Sequence, residues 1–492
     1  MRDKTLIIGA GTAGICIANE LFKKKEDFEI FDTAEYKNYP FFFKPPLMIG
    51  FLFGRDNFIK ENNFYFNDRE IPYYIPNIIG GSSEINGCVH SLGSEKSWRK
   101  MLEDFNLNFE DIKYAYEENF SKDQKKEKIQ IRESFSNDLD DDFFSFLRKR
   151  GVPYGNTEFS DTERFGTLKN NSGQFFRSTP LSSFYKIKKL VKKDIHVNNI
   201  SIDNNFNVDG VFTNKGFFKF NKIILAAGSI GSSRIILNTF LSNKINIQKP
   251  IKDLAIKDQP NVRIKFKLNS QKGTLNEIYS STFKRLILGI NYLAGKRSFF
   301  TSSGATSAVY LDLDNDEVPD VKIQLVQFTE KGRLSSNTSR GIEFDPNPGF
   351  SLGITILNPK SIGRLSISKL DDRTLVKPNY FCNDEDLELC KKAIKFCLEF
   401  GKELKDIGIV NEIIDLKLIK NDIEGYIKTN VFSSYHLIGG CTLENGIINK
   451  NFNVTDLNNL FICDASVMSD FVSSNSHAPV VCLSSAFAKN IL

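Results

Sequence analysis

The chain has 492 residues, 41% of them hydrophobic and 25% charged, and Lys+Arg exceed Asp+Glu by only 65 to 60, a formal net charge of +5. That balance excludes a wholly disordered chain, and so small an excess of basic residues gives no reason to expect nucleic acid or an anionic membrane as a partner. At roughly 150 residues per domain, the length predicts two or three domains or one large composite with a sizeable core.

The first predicted element is a strand beginning at Thr5, directly after Met1-Arg2-Asp3-Lys4. This start leaves no room for the apolar region of a signal peptide, so a cytoplasmic location is expected. The strand runs into Gly9-Ala-Gly11-Thr12-Ala13-Gly14, then a helix, then a second strand over Phe28-Glu-Ile-Phe that ends at Asp32. The order strand, GxGxxG, helix, strand, acid predicts a dinucleotide site. Gly9 allows the tight turn, Gly11 a close approach of backbone N–H groups to a pyrophosphate, and Gly14 the packing of helix on strand. The helix N-terminus favours the anion. Asp32 is suited to accept both hydroxyls of an adenosine ribose and disfavours a 2′-phosphate. The motif alone does not choose between FAD and NAD.

Residues 39–54 form the most apolar stretch, Tyr39-Pro-Phe-Phe-Phe-Lys44 through Phe51-Leu-Phe-Gly54. Lys44 and three prolines break it, and it is too short to span a bilayer, so no transmembrane segment is expected. A buried loop, a substrate-channel loop, a membrane-touching loop and a dimer contact are the readings open to it. Next, Gly80-Gly81-Ser82-Ser83 reads as a second loop of exposed N–H donors suited to a phosphate. It is followed by Glu84-Ile85-Asn86-Gly87-Cys88 and by His90. Further along, Asp138–Asp142 reads as a solvated loop or helix start, Lys186–Lys193 as a solvated helix face, and His196 as a structural residue of a strand-like segment. Alternating patterns over Val321–Val326 and Phe350–Ile356 predict strands, and residues 384–404 an amphipathic helix. The eight cysteines form no C-x-x-C pair and there are four histidines. Neither a structural zinc site nor an iron–sulfur cluster is expected, and the thiols read as buried and reduced.

The segment from Gly80 to Gly87 resembles the first signature of the glucose-methanol-choline (GMC) oxidoreductase family, and further pieces follow in that family's order. Trp98 falls where the family often has tryptophan. Ile223–Leu237 resembles its second signature, with Ser233 in place of the usual proline. Asn358-Pro359-Lys360-Ser361 and Pro378-Asn379-Tyr380 resemble two later elements. Ser434-Tyr435-His436 through Cys441, Cys463-Asp464-Ala465-Ser466 and Asn475-Ser476-His477-Ala478-Pro479 resemble the C-terminal block.

The resemblance implies an α/β fold in which a Rossmann-like FAD-binding domain (1–120, 171–245 and 430–492) is interleaved with a discontinuous α+β substrate domain (121–170 and 246–429). The latter is expected to be an antiparallel sheet with flanking helices. It implies an FAD-dependent oxidoreductase acting on an alcohol, a sugar, polyol or related compound, with hydride passing to flavin N5. His436 is then the principal proton acceptor and His477 holds the substrate oxygen, with the two roles exchanged as the alternative. Imidazole suits the proton step because its ordinary pKa lies near working pH. The cofactor contacts implied are Gly9, Gly11, Thr12, Ala13, Gly14, Asp32, Gly80, Gly81, Ser82, Asn86, Gly87, Cys88, Asp464, Ala465 and His477. No metal is called for. Ile85 stands where some members carry a histidine tethered to FAD, so noncovalent FAD is expected. Partners are the alcohol and an electron acceptor of unspecified kind. A redox-neutral lyase on the same fold and a noncatalytic flavoprotein are the rival readings.

Overall fold

A computed structural model describes residues 4–53, 57–66, 69–243, 253–269, 271–331, 343–368 and 373–492. Residues 1–3, Gly54 of the apolar stretch and 246–252 of the expected substrate domain lie outside the described residues. The N-terminal pattern folds as it reads. Strand Thr5–Ile8, helix Thr12–Lys24 and strand Phe28–Phe31 follow one another. A five-stranded sheet forms around them in the order Val191–Lys192, Phe28–Phe31, Thr5–Ile8, Lys222–Leu225, Leu460–Ile462. Every pair in it is parallel. The inner strands Thr5–Ile8 and Lys222–Leu225 are near-continuous runs of buried Ile and Leu because both faces of the sheet are covered, in part by a small antiparallel sheet whose Phe218 packs edge-on against Phe31 at 5.2 Å. At Gly14 a Cβ would meet the Gly9 carbonyl oxygen at 1.9 Å, so only glycine lets the first helix lie this close to its strand. The Lys186–Lys193 segment departs from the expected helix. It makes one 3-10 turn over Ile187–Leu190 and then supplies the edge strand Val191–Lys192. The apolar Ile187 and Val191 are buried and take the chain into the sheet, which overrides the helical reading of the lysines.

The second large layer is a mainly antiparallel seven-stranded sheet. Its main path runs Val410–Ile413, Pro260–Leu268, Gly349–Ile356, Val321–Val326, Ala305–Leu311, Arg164–Thr167, with Phe432–Ser433 pairing Pro260-Asn261. Helix Asp384–Asp406 packs on one face of it through Phe400, whose ring lies 6.0 Å from Phe350, itself stacked on Phe266 at 4.6 Å. The helix begins where Asn383 accepts a hydrogen bond from the Glu385 N–H, with three acids in its first turn. Asp138–Lys149 is likewise a helix, capped by Asn137. Asp140 within the acidic run is buried and accepts hydrogen bonds from Thr306 and Ser307.

Loops at one end of the parallel sheet and the uncovered face of the seven-stranded sheet enclose a cavity of about 1130 Å³. Among the described residues no helix is long and apolar enough to cross a membrane.

Candidate active site

The two glycine loops converge on one end of this cavity. Gly9, Gly11, Thr12, Ala13, Asp32, Gly81, Ser82, Asn86, Gly87, Cys88, Asp464 and Ala465 all line it. Gly14 and Gly80 do not; they stand behind the lining. The loops are tied together by the Gly80 N–H, which donates to the Ala10 carbonyl at 2.8 Å. Gly81 approaches Gly11 so closely that a Cβ on Gly81 would lie 2.8 Å from the Gly11 Cα. Two chains of small residues, one opening helix Thr12–Lys24, thus form a shallow cradle of backbone donors. This fits a pyrophosphate, and the long cavity beyond it fits a flanking nucleoside and ring system.

Asp32 lies at the far end of the cradle. Its carboxylate accepts the Ala10 and Ala34 N–H groups, and burial raises its pKa against the lowering effect of those two bonds. His196, read from sequence as structural, also borders the cavity here. Asp464 is committed in part to the fold: its Oδ2 accepts the Gly228 N–H at 2.8 Å and the Ser232 hydroxyl at 2.6 Å. It therefore holds the start of helix Gly228–Asn243 against the cavity. Asn86 Oδ1 accepts the Cys88 N–H, and Arg177 braces the loop from behind by donating to the Ser83 and Asn86 carbonyls. Buried Arg177 was not legible from sequence, since no motif surrounds it.

His436 and His477 border the same cavity from two separate segments. His436 precedes strand Ile438–Gly439, and His477 opens helix His477–Asn490. Two of the sequence motifs are explained by how they help to hold these rings. Asp258 accepts the His436 backbone N–H and the Ser433 hydroxyl. Tyr380, of the Pro378-Asn379-Tyr380 motif, donates its hydroxyl to the same carboxylate. Asn358 exchanges hydrogen bonds with Ser473, fixing the loop that leads to His477. Burial raises the Asp258 carboxyl to about 6, against the lowering effect of these donors. Trp98 is buried and donates to the Leu92 carbonyl. His90 is fully buried between Asn171 and Tyr116, outside the lining.

Gln259 decides which nitrogen of His436 is free. Its Nε2 donates to the Leu357 carbonyl at 2.6 Å and the Ser474 carbonyl at 3.1 Å, so its Oε1 must face the imidazole. That oxygen lies 2.7 Å from His436 Nδ1. An acceptor there places the proton on Nδ1 and leaves Nε2 with its lone pair. Burial, followed by the charge of Lys322, lowers His436 to about 3, so the neutral form prevails at working pH. His477 is lowered to about 3 as well, by burial and then by His90 and Arg177. Neither of its buried ring nitrogens has a hydrogen-bond partner. An unpartnered buried polar group costs about 1–3 kcal/mol, a cost that a ligand can remove. Gln259 and Asp258 were missed because they sit between two strands with no motif around them.

A Rossmann-like parallel sheet and a large antiparallel sheet that share one cavity are the fold of the FAD-dependent oxidoreductases to which the chain is similar. Residues 359–484 match the GMC oxidoreductase family model. Across 99% of its length the chain is 20% identical to an alcohol dehydrogenase [acceptor] of Pseudomonas putida, covering 95% of that protein. It is also 20% identical to the oxygen-dependent choline dehydrogenase of Rhizobium meliloti, over 100% of this chain and 96% of the relative. A formate oxidase of Aspergillus oryzae superposes with a TM-score of 0.83 at 14% identity, over 99% of this chain and 97% of that one. A fungal aryl-alcohol oxidase superposes at 0.80 with 14% identity, over 100% and 99%. The chain thus resembles GMC oxidoreductases along its whole length, and residues 359–484 carry the match to that family's model.

Proposed function

We propose that the protein oxidises a CH–OH group, with FAD held noncovalently in the double glycine cradle, His436 as proton acceptor and His477 as the donor that holds the substrate oxygen. The observation that carries this reading is the fixed tautomer of His436. A neutral imidazole with its Nδ1 hydrogen committed to Gln259 offers Nε2 to the cavity that the cradle also borders. Bound FAD supplies the acceptor for the hydride leaving the alcohol carbon. The chain's own residues supply position and proton transfer. His436 Nε2 takes the hydroxyl proton, and the resulting charge is shared with Gln259 Oε1 through Nδ1–H. His477, with no partner of its own, donates to the same oxygen as negative charge develops there. Ile85 lines the cavity wall beside the cradle and offers no nucleophile for a covalent link. The names of the relatives, an alcohol dehydrogenase and choline dehydrogenases, support the reaction class.

Anaerobic mixing of the yellow holoprotein with a panel of primary and secondary alcohols tests the reading. Bleaching of the flavin band by at least one alcohol is expected. A well-folded holoprotein that none of them bleaches overturns it.

A further inference from the structure

The seven-stranded sheet presents a polar floor to the cavity. Alternation along Val321–Val326 puts Lys322 and Gln324 on the same face. Strand register sets Asn261, Thr355 and Lys322 side by side across three strands, and Arg263, Gly353 and Gln324 in the next such row. All six line the cavity.

Within this floor Lys322 stands apart. It is 2% exposed and lies on a central strand. Its ammonium donates to Asn475 Oδ1 at 2.5 Å, and among the described residues no carboxylate pairs with it. Arg263, by contrast, is paired with Glu330. The acids that line the cavity are Asp32 and Asp464, and both carboxylates accept backbone N–H groups. A buried charge normally has a partner of opposite sign. The neighbouring acceptors Gln324 Oε1 and Asn261 Oδ1 are buried without partners, so the floor also has places for a donor such as a ligand hydroxyl. Burial lowers the lysine to about 7, which leaves it able to hold a proton at neutral pH and to hold it more firmly once an anion arrives. Its place relative to the reacting centre is also defined. Asn475, its partner, is two residues from His477, and its charge is felt at His436.

We propose that Lys322 binds an anionic group of the substrate, a carboxylate, so that the alcohol oxidised is a hydroxy acid in the broad sense, with its CH–OH carbon held between His436 and His477. This rests on the function proposed above. The apolar wall formed by Phe51, Phe328 and Phe344 then takes the body of the molecule, with Phe328 and Phe344 rings 5.3 Å apart. An alcohol bearing a permanent positive charge would meet Lys322 without a carboxylate to offset it.

The test compares 4-(hydroxymethyl)benzoate with its neutral isostere 4-(hydroxymethyl)benzamide. Binding to oxidised holoprotein is measured by calorimetry, and flavin reduction is measured separately under anaerobic conditions. Wild-type protein is expected to bind the carboxylate at least tenfold more tightly. Lys322→Met should remove that preference while leaving amide binding within about twofold, and Lys322→Arg should keep it. Equal affinities for the two probes in wild-type protein, or binding of neither at millimolar concentration, overturn the proposal. So does a Lys322→Met variant of native melting temperature that loses both ligands equally. If Lys322→Met does not fold, Lys322→Gln carries the same comparison. Preferential carboxylate binding without bleaching by any alcohol would leave the anion site standing and refute the oxidation reading instead.

Discussion

The contact between the two glycine loops allows cofactor binding to be separated from folding with two single methyl groups. Gly81 has φ +62°, and a Cβ there would sit 2.8 Å from the Gly11 Cα. Carbon atoms pack best at about 3.5–4.0 Å, so the two loops must part by about 0.7 Å or more. The neighbour is backbone, stitched down by the Gly80 N–H to Ala10 carbonyl bond, and cannot swing aside. Left-handed backbone at a non-glycine residue adds about 1–2 kcal/mol and overpacking about 1–3 kcal/mol. Gly81→Ala is therefore expected to destabilise the apoprotein by about 2–5 kcal/mol and to weaken FAD binding with it. Gly11→Ala differs. Its φ of −82° suits any residue, and its Cβ would meet Gly81 Cα at 3.9 Å, an ordinary contact. That methyl would lie in the cradle itself. The apoprotein should melt as wild type does, while FAD affinity falls by at least about tenfold, or 1.4 kcal/mol. Thermal melts of the stripped proteins and titration with FAD give both quantities. A Gly11→Ala protein that binds FAD as tightly as wild type, or a Gly81→Ala apoprotein of unchanged stability, refutes the idea that these loops form one pyrophosphate cradle.

His436→Gln should lower the rate of flavin reduction by an oxidisable alcohol about 10²–10⁴-fold at unchanged FAD content, as stopped-flow absorbance would report; an undiminished rate would move the proton step elsewhere. Gln259→Glu puts a carboxylate beside Nδ1, which favours the protonated imidazole. The acid limb of the kcat profile should shift to higher pH, whereas Gln259→Leu should lower kcat without that shift. Stability should also report the two buried imidazoles. Both are lowered to about 3 in the fold, against about 6.5 for free histidine. Between those values the unfolded chain binds protons that the native state refuses, so stability is lost as pH falls below about 6.5. Asp258, raised to about 6, acts in the opposite sense below that value, which is why the comparison must be between proteins. Melting temperature should fall less steeply from pH 6.5 to 4.5 in a His436→Gln/His477→Gln double variant than in wild type.

What could be read from the sequence follows a physical division. Backbone geometry leaves a strong imprint: a Cβ on Gly9 or Gly14 would collide with backbone, so the first helix and the first parallel strands were legible from residues 5–32. The two histidines were singled out by the motifs around them, and both line the cavity. The packing of distant segments leaves no such imprint. Gln259 locks a ring 177 residues further along the chain. Lys322 and Gln324 look like the solvent face of an alternating strand, and only the closed cavity shows that this face is internal. Residues 186–193 misled for a related reason: lysines at helical spacing hid the buried Ile187 and Val191, whose place in the sheet decides the local structure.

On the proposed function, a weakly basic imidazole has to serve as the proton acceptor. Burial alone would lower any histidine, and the charge of Lys322 lowers His436 further. A base held near 3 draws a proton poorly from a neutral alcohol. It draws it well when the alcohol is already losing hydride from the same carbon, because the hydroxyl then becomes strongly acidic. On the function proposed above, the depression would tie proton transfer to hydride departure and keep His436 free of solvent protons until then. An anion settling on Lys322 would offset that charge and raise His436 at the moment substrate is in place. The residue that selects the substrate would then also tune the base.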